Sequence, residues 1–201
     1  MMDLPKYNGT IHPEEWLKQV QTFCYLKEIT NERKILKICK LMIDSTITIP
    51  NEINSLDELI KALKSHSTFE IFKNTCRKKL KFLSYISEKD GGNTATFLAN
   101  FRSLCNDAEI DDPEEIRNLL FDSYLSNKFF KIAFTKKVNG VNSVDDIFKI
   151  FDEVVSDELK IIKHDSLVTL KHVATGKYLS SRNVNHQLGS GRRLVSIFFF
   201  F

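Results

Sequence analysis

The residues with chemistry to offer are dispersed along the chain. His12, His66, His164, His172 and His186 show neither HxxxH nor HExxH spacing, so no helical face presents two imidazoles to a metal. Cys24, Cys39, Cys76 and Cys105 form no CxxC pair, and each sits in an apolar helical pattern, which reads as a buried thiol before a zinc ligand or a disulfide half. Asp111-Asp112 and Asp145-Asp146 fall where helices begin, so they complement the positive helix end first and would bind a cation only as a distant second. Gly189-Ser190-Gly191 lacks the third glycine and the following helix of a phosphate loop. No nucleophile stands near a base in the sequence. The expectation is a non-enzymatic protein with no catalytic, cofactor-binding or metal-binding residues.

Charge narrows the partners. Residues 165–201 hold five cations against one acid, so +4 lies there and −1 remains for residues 1–164 of a chain with formal charge +3. The long part is close to neutral. Its one basic cluster is Arg77, Lys78 and Lys79 with Lys81, a short run of the kind that is usually a solvated helix face, and weak nucleic-acid binding through it is the last of the readings below. No 18-residue apolar span occurs, and MMDLPKYNGT lacks the basic start and apolar run of a signal peptide. That predicts a cytoplasmic or nuclear protein with no membrane contact.

Eight segments must position these residues, and nearly all are helical. Pro13-Glu14-Glu15 starts a helix over about 13–27 with Trp16, Val20, Phe23 and Cys24 on one face. Thr30 is the predicted cap of a second, whose wide apolar side (Ile35, Leu36, Ile38, Cys39, Met42, Ile43) predicts a central place in the core. After an extended connection over 44–54, Ser55 and Glu58 form a capping box for a third. A fourth begins near Thr68, with Phe69, Phe72, Cys76, Leu80 and Leu83 as its stripe and the basic run facing elsewhere. Asn93 or Thr94 caps a fifth that carries Phe97, Leu98, Phe101, Leu104, Cys105 and Ala108. Asp112-Pro113-Glu114-Glu115 is the strongest start signal in the chain. Helicity falters at Ser126-Asn127, a further apolar run spans Phe129 to Phe134, and Ser143 opens a last long helix.

From Lys163 the period changes to two. Val168, Leu170, His172 and Ala174 alternate with Thr169, Lys171 and Val173, and Thr175-Gly176 supplies a turn before Lys177-Tyr178-Leu179, the pattern of a β-hairpin. The ending VSIFFFF is a charge-free aromatic run, an aggregation liability unless covered, and is expected to be a truncation artefact over 196–201.

Two stretches resemble known families. LPKYNGTIHPEEWLKQV resembles the entry to capsid domains of long-terminal-repeat retrotransposon Gag proteins, on Tyr7, Asn8, Gly9, Pro13, Trp16 and Leu17, and FLANFRSLCNDAEIDDPEEIRNLLFDSYLSNKF resembles their second lobe. The resemblance covers about residues 4–158 and implies a mostly α, multi-helix capsid-like bundle of one or two lobes over 1–163, with Trp16, Phe97, Phe101 and Leu104 as core residues. It also implies self-association or peptide binding. The zinc knuckle through which Gag proteins bind RNA, and the Asp-Thr/Ser-Gly triplet of a retroviral-type protease, do not occur in this sequence.

LVTLKHVATGKYLSSRNVNHQLGSGRR resembles the MIR motif, a segment of β-trefoil modules, on Val168, Leu170, His172, Thr175, Gly176, Tyr178 and Leu179. Those positions are structural in the motif, and residues 164–195 supply less than one of a trefoil's three units. The readings in order are therefore a protein-interaction and assembly protein with a capsid-like self-association domain and an appended MIR-like contact; a MIR-type module for protein or glycan, cut short; and a weak nucleic-acid binder.

Overall fold

The computed structural model describes residues 4, 6–161, 170–171, 173–174, 178–185 and 193–197. The chain divides into two compact units, Met1–Leu159 and Lys160–Phe201. The first is a helical bundle. Its helices are α1 (Pro13–Leu26), α2 (Glu32–Leu41), α3 (Leu56–Ser65), α4 (Ser67–Phe82), α5 (Thr94–Asp107), α6 (Pro113–Ser123), α7 (Lys128–Val138) and α8 (Val144–Leu159), with a short 3-10 turn at Glu88–Asp90.

Most helix starts follow from one side-chain acceptor placed where the first amides have no partner. His12, Asn31, Ser55, Asn93, Asp112 and Asn127 each accept from a backbone N–H two or three residues on. Ser143 does the same for α8, taking the Asp146 N–H at 3.3 Å. The capping box of α3 is displaced by one residue: Ser55 Oγ accepts the Glu58 N–H, but the Glu58 carboxylate accepts from the Asn54 N–H at 2.7 Å. Asn31, not Thr30, caps α2: the helix begins at Glu32, and Asn31, in extended backbone just before it, takes the Lys34 N–H at 3.1 Å.

The helical unit has two apolar cores in sequence order. Tyr7, Trp16, Val20, Cys24, Leu36, Cys39, Ile47, Ile53, Leu56, Leu59 and Leu63 make the first. The second joins residues from Cys76 to Val155 and is rich in rings. The expected central place of α2 is a correction: only Leu36 and Cys39 are buried, Ile35 and Ile38 are half-buried, and Leu41 is 71% exposed. Its main helix neighbour is α1, and a ten-residue helix so placed leaves part of a wide apolar side open.

Tyr7 ties the entry of the chain to this first core. Its N–H donates to the Met42 carbonyl and its carbonyl accepts from the Asp44 N–H, both at 2.8 Å, as a single parallel bridge to Ile43. The following Gly9 has φ +80°, and a Cβ there would lie 2.9 Å from the Thr68 Cβ at the start of α4, so glycine is required twice over.

In the second unit three strands, β1 (Leu170–Lys171), β2 (Tyr178–Asn185) and β3 (Arg193–Ile197), pair antiparallel in the order β1-β2-β3. Leu170 faces Leu179, Leu179 faces Ile197, and the register shifts between Ser181 and Asn185. Val168, His172, Thr175 and Gly176, which carry the turn and half of the MIR-like motif, lie outside the described residues, as does the run Phe198–Phe201.

Candidate functional site

The basic run stands on the outside of α4. Arg77, Lys78, Lys79 and Lys81 are all exposed, while Phe69, Cys76 and Leu80 of the same helix are buried. None of the four cations makes an ion pair among the described residues. On the same outer side Ile71 is 65% and Phe82 85% exposed. Eleven residues apart, they share a face three turns long, with Thr75 and Lys78 between them. The Thr75 hydroxyl turns back onto the Ile71 carbonyl at 2.8 Å, so it presents no free donor to that face.

Of the residues expected in the core, Trp16 is fully buried in the first core, packed on Tyr7 with ring centroids 5.2 Å apart. Phe101 and Leu104 are buried in the second, and Phe97 is half-buried against it, stacked on Phe151 at 5.5 Å. All four cysteines are buried and carry free thiols. Burial pushes the Cys39 and Cys105 thiols up to about 12, so neither is a nucleophile at neutral pH.

Where the two cores meet, the structure brings together groups that lie far apart in sequence. A cleft of about 620 Å³ is lined by His12, Glu14, Glu15 and Lys18 at the start of α1, Lys64 of α3, and the segment from Ser103 to Asp111 that ends α5. Lys64 Nζ lies 2.7 Å from both the Glu14 and the Glu109 carboxylates. Glu109 also reaches Lys73 of α4 at 3.4 Å and His12 Nε2 at 3.7 Å. His12 Nδ1 is occupied as the α1 cap, accepting the Glu14 N–H at 3.2 Å, which leaves its ring proton on Nε2 toward Glu109.

Hydrogen bonds from Lys64 hold both the Glu109 and the Glu14 carboxyl below the ordinary range. Asp107 moves the other way, because burial raises it against the pull of His12 and Lys79. Asp111 and Asp145, separate helix-start acids in the sequence, line one adjoining recess of about 290 Å³, beside Arg102 and Phe148. The Arg102 guanidinium sits 4.3 Å over the Phe148 ring.

A second polar cluster lies at the edge of the larger core, with Tyr85, Thr94, Tyr124 and Glu158 buried and Glu88 exposed. The Tyr124 hydroxyl donates to the buried Glu158 carboxylate at 2.9 Å and accepts from Asn127 Nδ2 at 3.0 Å. The Tyr85 hydroxyl meets Thr94 Oγ1 at 2.8 Å, and Thr94 Oγ1 donates to Glu88 at 3.0 Å. Such groups satisfy one another and hold the end of the bundle in one arrangement. Among the described residues no three His, Cys, Asp or Glu side chains converge as a metal site.

Sequence reasoning missed both clusters. Their pairs, Lys64 with Glu109 and Tyr124 with Glu158, span 45 and 34 residues, a separation at which side-chain type alone carries no signal.

Comparison of the chain with models of protein families, with curated proteins and with solved structures found no match. Among the described residues no helix is long and apolar enough to cross a membrane.

Proposed function

We propose that this chain is a protein-interaction and assembly module, in which the helical unit associates with further copies of itself in the manner of a capsid-like domain and the MIR-like strands supply an added contact. The observation that carries the reading is the outer face of α4, where Ile71 and Phe82 stand exposed at 65% and 85%. Two large apolar side chains left exposed on one helix face, with Thr75 and Lys78 between them, offer anchor points for a contact. Near-neutral charge over residues 1–164 leaves little repulsion between copies.

Light scattering of the purified chain over a wide concentration range tests it. Mass rising with concentration, and falling to that of the monomer when Ile71→Asp and Phe82→Asp are combined, supports the reading. A monomer at all concentrations removes it.

A further inference from the structure

We propose that Glu109 is a positioning residue that latches the cleft between the two cores, its carboxylate gathering His12 and Lys64 from the first core's helices and Lys73 from α4. The inference does not rest on self-association.

Backbone and side chain give separate observations. Glu109 has φ +52°, in the left-handed region that favours glycine, at the end of α5. Its N–H donates to the Asn106 carbonyl at 3.1 Å and the Ile110 N–H to the Cys105 carbonyl at 2.9 Å. Glu28 repeats this at the end of α1: φ +57°, its N–H to the Tyr25 carbonyl at 3.0 Å, and the Ile29 N–H to the Cys24 carbonyl at 2.8 Å. Backbone geometry therefore does not distinguish the two. Their carboxylates do, for that of Glu28 is exposed with no ion pair among the described residues, whereas Glu109 meets three cationic or proton-bearing side chains.

Those partners lie on both sides of the cleft. His12 and Lys64 belong to the elements that build the first core, and α5, which Glu109 terminates, belongs to the second. Glu14 shares Lys64 and Glu70 shares Lys73, so the chain of charges runs Glu14, Lys64, Glu109, Lys73, Glu70 across the seam. Asp107, Asp111, Glu15 and Lys18 face the same space. Removing the Glu109 charge would leave His12, Lys64 and Lys73, drawn from three parts of the chain, without the one anion they share. A latch built this way is partly shielded but still open to salt.

The test is amide hydrogen exchange by mass spectrometry on the full chain, comparing wild type with Glu109→Gln, Glu109→Gly and Glu28→Gly. Loss of the latch is expected to speed exchange in segments 12–20 and 62–73 by roughly three- to tenfold in both Glu109 variants, with segment 116–134 unchanged. Glu28→Gly, which relaxes the same backbone strain, should leave those segments alone. Added salt at about 1 M should speed the same segments more in wild type than in Glu109→Gln, where only the Lys64–Glu14 and Lys73–Glu70 pairs remain, a difference that a residue of merely structural role would not show. Exchange in 12–20 and 62–73 that is equal in wild type and Glu109→Gln, or equally salt-sensitive in both, overturns the proposal. Should Glu109→Gly fail to fold, Glu109→Gln alone decides, since it keeps the backbone and side-chain volume.

Discussion

The two cores of the helical unit are stabilised by different means. The first is mainly aliphatic around Tyr7 and Trp16, draws on three helices and the loop between α2 and α3, and leaves α2 half uncovered. In the second, Tyr85, Phe97, Tyr124, Phe130, Phe134 and Phe151 form a connected set of tilted, stacked and edge-on rings with centroids 4.9 to 6.1 Å apart. A polar cluster closes its end. The contrast teaches that one helical unit can hold a ring-packed half and a lightly covered half, and each half contains two buried thiols that report on it: Cys24 and Cys39 in the first, Cys76 and Cys105 in the second.

The largest expected effect follows from Phe151, which is fully buried and touches the rings of Tyr85, Phe97, Phe130 and Phe134. Phe151→Ala should cost about 3–5 kcal/mol. Pulsed thiol labelling in mild denaturant should then find Cys76 and Cys105 reactive before Cys24 and Cys39, the reverse of the order in wild type. Simultaneous labelling of all four in both proteins would show that the cores unfold as one and dissolve the contrast.

Next in size is Tyr124→Phe. It removes the donor to a carboxylate that is 6% exposed, and leaving a buried acceptor short of a partner costs about 1–3 kcal/mol. Denaturant melts of the two proteins measure it, and no change would mean that Glu158 finds another donor.

Acid should act on the seam more than on either core. The folded-state values of Glu109 and Glu14 are depressed, so the stability they contribute is full above the ordinary carboxylate range and is lost as pH falls through their lowered values. Exchange in segments 12–20 and 62–73 should quicken as pH falls through that window, once corrected for the intrinsic pH dependence, with 116–134 lagging.

The smallest effect is Tyr7→Phe. The Tyr7 hydroxyl is buried without a hydrogen-bond partner among the described residues, and burial pushes it up to about 12. Removing it should leave stability within about 1 kcal/mol or raise it slightly, unlike the same change at Tyr124. In wild type, stability should decline as pH rises from about 10 toward 12, because the folded state keeps a proton that the unfolded chain gives up, and Tyr7→Phe should soften that decline.

Much of the fold was legible because helix starts are local. Asp112-Pro113-Glu114-Glu115 announces α6 within four residues, and Asp112 does take the Glu115 N–H at 2.9 Å. The break at 126–127 was also local, and Asn127 caps α7. What stayed hidden depends on partners distant in the chain. The apolar breadth of α2 gave no sign that Leu41 would stand 71% exposed. At Gly92 a Cβ would fall 1.9 Å from the Ile86 carbonyl oxygen, a close approach that only the folded loop creates. Glu109 was one acid among many until the fold brought Lys64 and Lys73 to it.

The parallel bridge of Tyr7 to Ile43 bears on how the chain is made. The buried residues of the first core all lie between Tyr7 and Leu63, so every one of them has been translated before α6 to α8 are made. Synthesis thus delivers the lightly covered half first. Slowing translation between the codons for Leu63 and Glu109 would lengthen the time that it spends without its neighbour.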